Sequence, residues 1–248
     1  MKLRVLAAAG AVGLAAVSVA LAGTSQARKA PHLTVFAAAS LTNVLPQIDP
    51  HGRYSFAGSS MLAAQVEQGL PADVFASANT ALPWQLHRKG LVTRPVVFTS
   101  NRLVAVIAHG DPKHIGSVQG LEKPGLRIVM AAAGVPVGDY TRKVLARLGM
   151  SDLVGKAVSQ ETDVREVLAK VTLGEADAGF VYATDAKPVA GKVSLLGIQK
   201  SAQPQVLYAA AAVKASTHLQ AAKAWVNKLL SKPAQTKLRA AGFLRIPH

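Results

Sequence analysis

The sequence predicts an α/β protein of two lobes, each a mostly parallel sheet flanked by helices, joined by two crossing strands. Three observations carry this. Short apolar runs of strand length alternate with helix-like segments from residue 33 to residue 241, the order that crossover helices impose on a sheet. No glycine- or serine-rich linker divides the chain, yet two long apolar runs, 102–108 and 206–213, stand out. They read as a chain that leaves a first lobe, builds a second and returns. Finally, 248 residues, half of them hydrophobic, are enough for one large or two modest cores.

Strand-like runs fall at 33–36, 53–57, 73–76, 102–108, 127–131, 178–182, 193–197 and 206–213. Between them, helices are predicted at 41–48, 60–69, 79–89, 139–149, 164–173, 218–230 and 233–241. Two helices have clear signals. Val164, Val167, Leu168 and Val171 recur at i, i+3, i+4 and i+7, and Gly174 ends the run. Leu219, Ala222, Trp225, Val226, Leu229 and Leu230 form another apolar stripe, with Thr217 expected as its cap. The first lobe is expected to hold about 31–104 and 207–248, and the second about 105–206.

Residues 1–27 read as a secretory signal peptide. Lys2 and Arg4 precede an apolar stretch from Val5 to Ala22, and cleavage is expected after Ala22 or Ala27. Removing this segment takes away two positive charges and no acid, so the net charge falls from +15 only to +13. The chain has no cysteine, and Thr24 stands where a lipoprotein carries its lipidated cysteine. Packing must therefore stabilise the fold without disulfides, and the expected location is the periplasm, without a lipid anchor. The basic balance admits nucleic acid, an anionic membrane or an anionic ligand as partner. With basic residues scattered and only 5% aromatics, a base-stacking platform is poorly supported and no nucleic acid is expected.

Enzyme motifs fail. Gly58-Ser59-Ser60-Met61-Leu62 lacks the second glycine of G-x-S-x-G, and there is no H-E-x-x-H and no P-loop. The histidines are dispersed, and His109 and His114 have no recognised metal spacing. What recurs is a strand, then small or hydroxyl residues, then a helix start. Ser40 opens one, after Ala37-Ala38-Ala39. Phe56-Ala57-Gly58-Ser59-Ser60 opens a second and Val135-Pro136-Val137-Gly138-Asp139-Tyr140 a third. Thr162-Asp163-Val164-Arg165-Glu166 opens a fourth, where Asp163 and Glu166 fit a capping box. A helix start exposes unpaired N–H groups and about half a positive charge, so several aimed at one point make an anion site without Lys or Arg. Taken singly, Ser40 and Ser59 read as N-caps, Val137 and Val164 as core residues, and Tyr182 as a core aromatic.

Together these segments resemble a known family, the periplasmic molybdate-binding (ModA) proteins of ABC importers. The resemblance rests on "VFAAASLTN", "FAGSSMLAAQVEQGLPADVFASAN", "VPVGDYTRKVLARLGM", "DVREVLAKVTLGEADAGFVYATDA" and "AGFLRIP", which follow one another in family order. It implies a two-lobed venus-flytrap fold of the type II periplasmic-binding kind, with a tetrahedral dianion, molybdate or tungstate, in the cleft. It implies ligand contacts from the hydroxyls and backbones of Ser40 and Ser59, the backbone N–H groups of Val137 and Val164, and the Tyr182 hydroxyl. No catalysis, no cofactor and no direct metal-cation ligands are implied; the partners are an inner-membrane ABC permease and its ATPase, and a monomer is expected. A binder of another oxyanion such as sulfate is the alternative, and a serine hydrolase using Ser59 a more distant one. Two departures stand out. Fifteen residues separate Ser40 from Phe56, fewer than is usual in the family, so the first helix is expected to be clipped or rebuilt. Position 137 is Val where Ala is common, and the Asp-Pro often found before the third helix start is absent from Met130–Gly134.

Overall fold

The structure is a computed structural model that describes residues 31–247; the expected signal peptide lies outside them. Two five-stranded sheets form the frame. The first holds β1 (Thr34–Ala38), β2 (Arg53–Ala57), β3 (Val74–Ser77), β4 (Val96–Asn101) and, from the far end of the chain, β10 (Val206–Ala212), in the order β2-β1-β3-β10-β4. The second holds β5 (Leu103–Ala108), β6 (Ile128–Ala131), β7 (Ser159–Glu161), β8 (Ala178–Tyr182) and β9 (Val193–Gly197), in the order β7-β6-β8-β5-β9. The α/β architecture matches the expectation.

The pairing refines it. Each sheet is mixed, with β1 parallel to β2 and β3, and β6 parallel to β7 and β8. β10 runs antiparallel to β3 and β4, and β5 antiparallel to β8 and β9. The reason lies in the crossings: each sheet receives one long strand from the other's end of the chain, and that strand runs against both its neighbours. The two long apolar runs are therefore not side by side. The chain crosses through Arg102, which alone separates β4 from β5, and returns through residues 198–205.

Helices pack on both sheets: α1 (Leu45–Ile48), α2 (Ser59–Glu67), α3 (Ala81–Arg88), α4 (Pro136–Arg147), α5 (Val164–Thr172), α6 (Ala183–Ala186), α7 (Leu219–Lys228) and α8 (Lys232–Ala241). The first predicted helix is indeed cut down, to a 3-10 turn at Ala39–Leu41 followed by the four residues of α1. The stripe of α5 is buried at Val164, Val167, Leu168 and Val171, and Gly174 leaves the helix at a φ of 74°. Thr217 is not the cap of α7. His218 occupies that position, and its N–H donates to Ser216 Oγ.

Candidate functional site

The parallel strands β1, β2 and β3 of one sheet and β6, β7 and β8 of the other point their carboxyl ends at a common small cavity. Ala38 ends β1 and Ala39 follows it, Gly58 and Ser59 follow β2, and Ala78 follows β3. From the other sheet come Val135, Pro136 and Val137 after β6, Asp163 and Val164 after β7, and Tyr182 at the end of β8. Ligands of open α/β sheets bind at this end of the strands, where loops lead into helix N-termini. The cavity is small, with about 10 Å3 open to a water molecule. A cavity this small suits a compact ion.

Three helices of eight residues or more begin at its wall. Ser59 is the first residue of α2, behind Gly58. Its Oγ accepts the Ala78 N–H at 3.1 Å, so its own proton is directed elsewhere and is available to a ligand. The same bond argues against a nucleophilic serine, because a backbone N–H cannot take up the hydroxyl proton. α4 starts with Pro136, which has no N–H, so Val137 offers the first donor of that helix. Gly138 lets this end approach β6: a Cβ there would lie 2.2 Å from Ala132 O and 2.5 Å from Ala131 O. α5 is capped by Asp163, whose Oδ1 accepts the N–H groups of Arg165 at 2.7 Å and Glu166 at 3.1 Å. The cap takes the second and third donors of the helix and leaves Val164 N–H, the first. Glu166 reaches back to the N–H and hydroxyl of Thr162, both at 2.8 Å, one residue beyond the N-cap that the expected box would bond. These bonds, the hydroxyl's first, hold the Glu166 carboxyl below its ordinary range. The side chains of Val137 and Val164 are buried in the core, which leaves their contribution to the backbone.

Tyr182 is 1% exposed, and its hydroxyl has no hydrogen-bond partner among the described residues. A buried orphan hydroxyl on a cavity wall is the feature most in need of a ligand. Burial, followed by the neighbouring Tyr208, raises its pKa well above the usual phenol value, so the group remains a neutral donor. Asp139, beside Val137, turns away from the cavity and accepts the Gly134 N–H at 2.8 Å. The lining includes no Lys or Arg.

Ser40 sits differently from the other candidates. It is in the 3-10 turn and is buried, but it is absent from the cavity lining. Its Oγ lies 2.9 Å from the hydroxyl of Tyr208, on β10, which also accepts from Asn101 Nδ2 at 3.4 Å. Asn101 in turn donates to Thr184 Oγ1 at 2.9 Å. This network ties the first crossing to β10 and α6, and the Tyr208 ring meets that of Tyr182 edge-on at 5.8 Å. Sequence reasoning missed Tyr208 and Asn101. The only signal was a tyrosine within an otherwise small-residue strand, Val206-Leu207-Tyr208-Ala209-Ala210-Ala211-Ala212. Among the described residues, no three His, Asp or Glu side chains gather as a metal centre would require.

Against known proteins, the family described as bacterial extracellular solute-binding protein matches residues 33–244. A Mycobacterium tuberculosis (strain ATCC 25618 / H37Rv) protein named molybdate-binding protein ModA is 36% identical over 247 residues, covering 96% of this chain and 94% of its own. The protein of that name from Escherichia coli (strain K12) is 31% identical over 246 residues, covering 92% of this chain and 95% of its own. Among solved structures, the Azotobacter vinelandii periplasmic molybdate-binding protein superposes with a TM-score of 0.77 over 88% of this chain and 100% of its own. At 22% sequence identity that likeness speaks for the fold.

Proposed function

Because this chain belongs to the bacterial extracellular solute-binding proteins, of the ModA type, we propose that it captures molybdate, and also tungstate, and delivers it to an ABC permease and its ATPase. The observation that carries the reading is the chemistry of the cavity. Two hydroxyls whose protons are uncommitted, Ser59 and Tyr182, face it together with helix starts from both sheets, and no cationic side chain lines it. Such a wall suits a fully deprotonated oxyanion. Val137 and Val164 contribute their N–H groups, and Ser40, next in the 3-10 turn to the lining residue Ala39, contributes its backbone.

Charge-assisted hydrogen bonds contribute about 1.5–3 kcal/mol each, so five of them exceed much of the association cost of about 4–15 kcal/mol. The positive net charge speeds encounter with a dianion without entering the site. The lobes are taken as about residues 31–104 with 207–248, and about 105–206, with Arg102 and residues 198–205 crossing near these bounds, and they close on the anion by hinge motion at the two crossings. The protein acts as a monomer in the periplasm and performs no covalent chemistry. The location is supported by the family, which is described as extracellular.

Thermal-shift titration with molybdate, tungstate, sulfate and phosphate tests this. A ligand at 100 times its dissociation constant adds about 2.7 kcal/mol of stability. A clear shift with molybdate and tungstate is expected; a larger shift with sulfate would replace the reading by the sulfate alternative.

A further inference from the structure

Charge is distributed unevenly along this chain. Beyond Asp185 there is no Asp or Glu through to residue 248, while ten of the 28 lysines and arginines fall there. The acid-free stretch ends in the helix pair α7 and α8. α7 buries Ala222, Trp225 and Val226, and α8 buries Ala234 and Leu238. Their outward sides carry Lys223, Lys228, Lys232 and Lys237, all exposed. Between the helices, Leu230 stands 47% exposed.

Little on the molecule neutralises this face. Of the four ion pairs among the described residues, only the loose one between Lys228 and Asp49, at 3.7 Å, reaches it, and Asp49 also accepts Trp225 Nε1 at 2.7 Å. Lys237 donates to Gln47 O, a neutral acceptor. Four cations on the solvent side of two consecutive helices, with an exposed leucine where they join, make a polybasic surface of the kind drawn to anionic headgroups.

We propose that the α7–α8 face binds the surface of an anionic phospholipid bilayer. The lysines supply the attraction and Leu230 reaches the headgroup boundary. Nucleic acid fits less well, because the only aromatic residue of the helix pair, Trp225, is 4% exposed and offers no stacking platform.

The test is co-sedimentation of protein recovered after export with vesicles of phosphatidylglycerol and phosphatidylcholine, against vesicles of phosphatidylcholine alone. Binding to the anionic vesicles is expected at about 0.1 M salt and should fade toward about 1 M, where the Debye length shrinks to about 3 Å. The variant K223E/K232E/K237E should lose about a hundredfold or more in partition, on the scale of one favourable contact per lysine. The control K156E/K192E/K200E changes net charge equally with exposed lysines elsewhere and should lose much less. If the first variant fails to fold by circular dichroism, K223Q/K232Q carries the same comparison at about a tenfold loss or more. Absence of sedimentation, equal binding to neutral vesicles, equal losses in both triple variants, or tighter binding of a DNA duplex through the same lysines would each overturn the proposal.

Discussion

Gly58 and Thr162 meet across the two sheets so closely that a Cβ on Gly58 would lie 2.2 Å from the Thr162 carbonyl oxygen. One residue follows β2 and the other follows β7, so this contact exists only when the strand ends of both sheets are brought together. Thr162 cannot easily yield, because Glu166 holds both its N–H and its hydroxyl. Gly58 itself has φ −58° and ψ 133°, a conformation alanine adopts without strain. Gly58→Ala should therefore leave the unliganded protein's melting temperature nearly unchanged while holding the cleft open. If the closed form becomes tenfold rarer, apparent affinity for molybdate falls about tenfold. Calorimetry combined with small-angle scattering, with and without molybdate, checks this. Unchanged affinity would show that closure does not need the contact.

Ser59→Ala and Tyr182→Phe should each weaken molybdate binding by about 1.5–3 kcal/mol, the loss of one hydrogen bond to a charged ligand. Tyr182→Phe should also stabilise the unliganded protein slightly, since its hydroxyl has no partner among the described residues. Ser40→Ala should behave in the opposite way. Its hydroxyl is engaged with Tyr208, so the substitution should cost stability, on the order of 1 kcal/mol, more than affinity. Paired melting and calorimetric titrations of the three variants separate these outcomes. A larger affinity loss for Ser40→Ala than for Ser59→Ala would reverse the assignment.

Most elements were legible because their apolar residues recur at strand or helix spacing. β4 and β7 were not. β4 ends in Thr99, Ser100 and Asn101, polar yet buried, with the Thr99 and Ser100 hydroxyls donating to Leu244 O and Arg245 O. β7 is Ser159-Gln160-Glu161, an edge strand with no apolar residue. Both are strands because of partners distant in sequence, which periodicity cannot register. At the site, the helix starts at Ser59, Val137 and Val164 showed in small residues and capping patterns. The Ser40–Tyr208 bond spans 168 positions and had no local signature. Gly58 did have one, a glycine directly before a helix start, which marks a close backbone approach.

Asp185 should make stability depend on pH in an uncommon direction. It is buried, and its Oδ2 has no partner among the described residues. Burial pushes its pKa from 3.8 up to about 7, with the Arg165 charge acting the other way. The folded state then holds a proton that the unfolded chain has released between about pH 4 and pH 7. In that window the native state binds more protons, so this residue's contribution to stability falls as pH rises and levels off above about 7. Asp185→Asn removes the penalty. The variant should gain on the wild type from pH 4 to pH 7, by an amount on the order of 4 kcal/mol at most. Denaturant melts across that range measure it, and parallel curves for the two proteins would contradict it.

Selectivity follows from the donor character of the wall. Ser59 and Tyr182 present protons, and the helix starts present N–H groups. Of the carboxylates nearby, Asp163 is engaged with Arg165 and Glu166 N–H and Asp139 with Gly134 N–H, while Asp185, which also acts on Tyr182, is not among the residues lining the cavity. Phosphate near neutral pH, with a second pKa of about 6–7 as in phosphoesters, keeps at least one proton, and that proton needs an acceptor. A buried donor left unpaired costs about 1–3 kcal/mol, so phosphate should bind roughly tenfold to a hundredfold more weakly than molybdate on this ground alone. Sulfate carries no proton and must be rejected by size, since a smaller anion cannot reach donors on both sides of a closed cleft. Competition titrations at neutral pH decide between these cases. If phosphate displaces molybdate at comparable concentration, one of these carboxylates accepts its proton, and Asp163→Asn, Asp139→Asn and Asp185→Asn will show which. If sulfate does so, the cleft is narrower than molybdate requires, and Val137→Ala, which removes bulk from a residue lining the cavity, should shift preference back toward the larger anion.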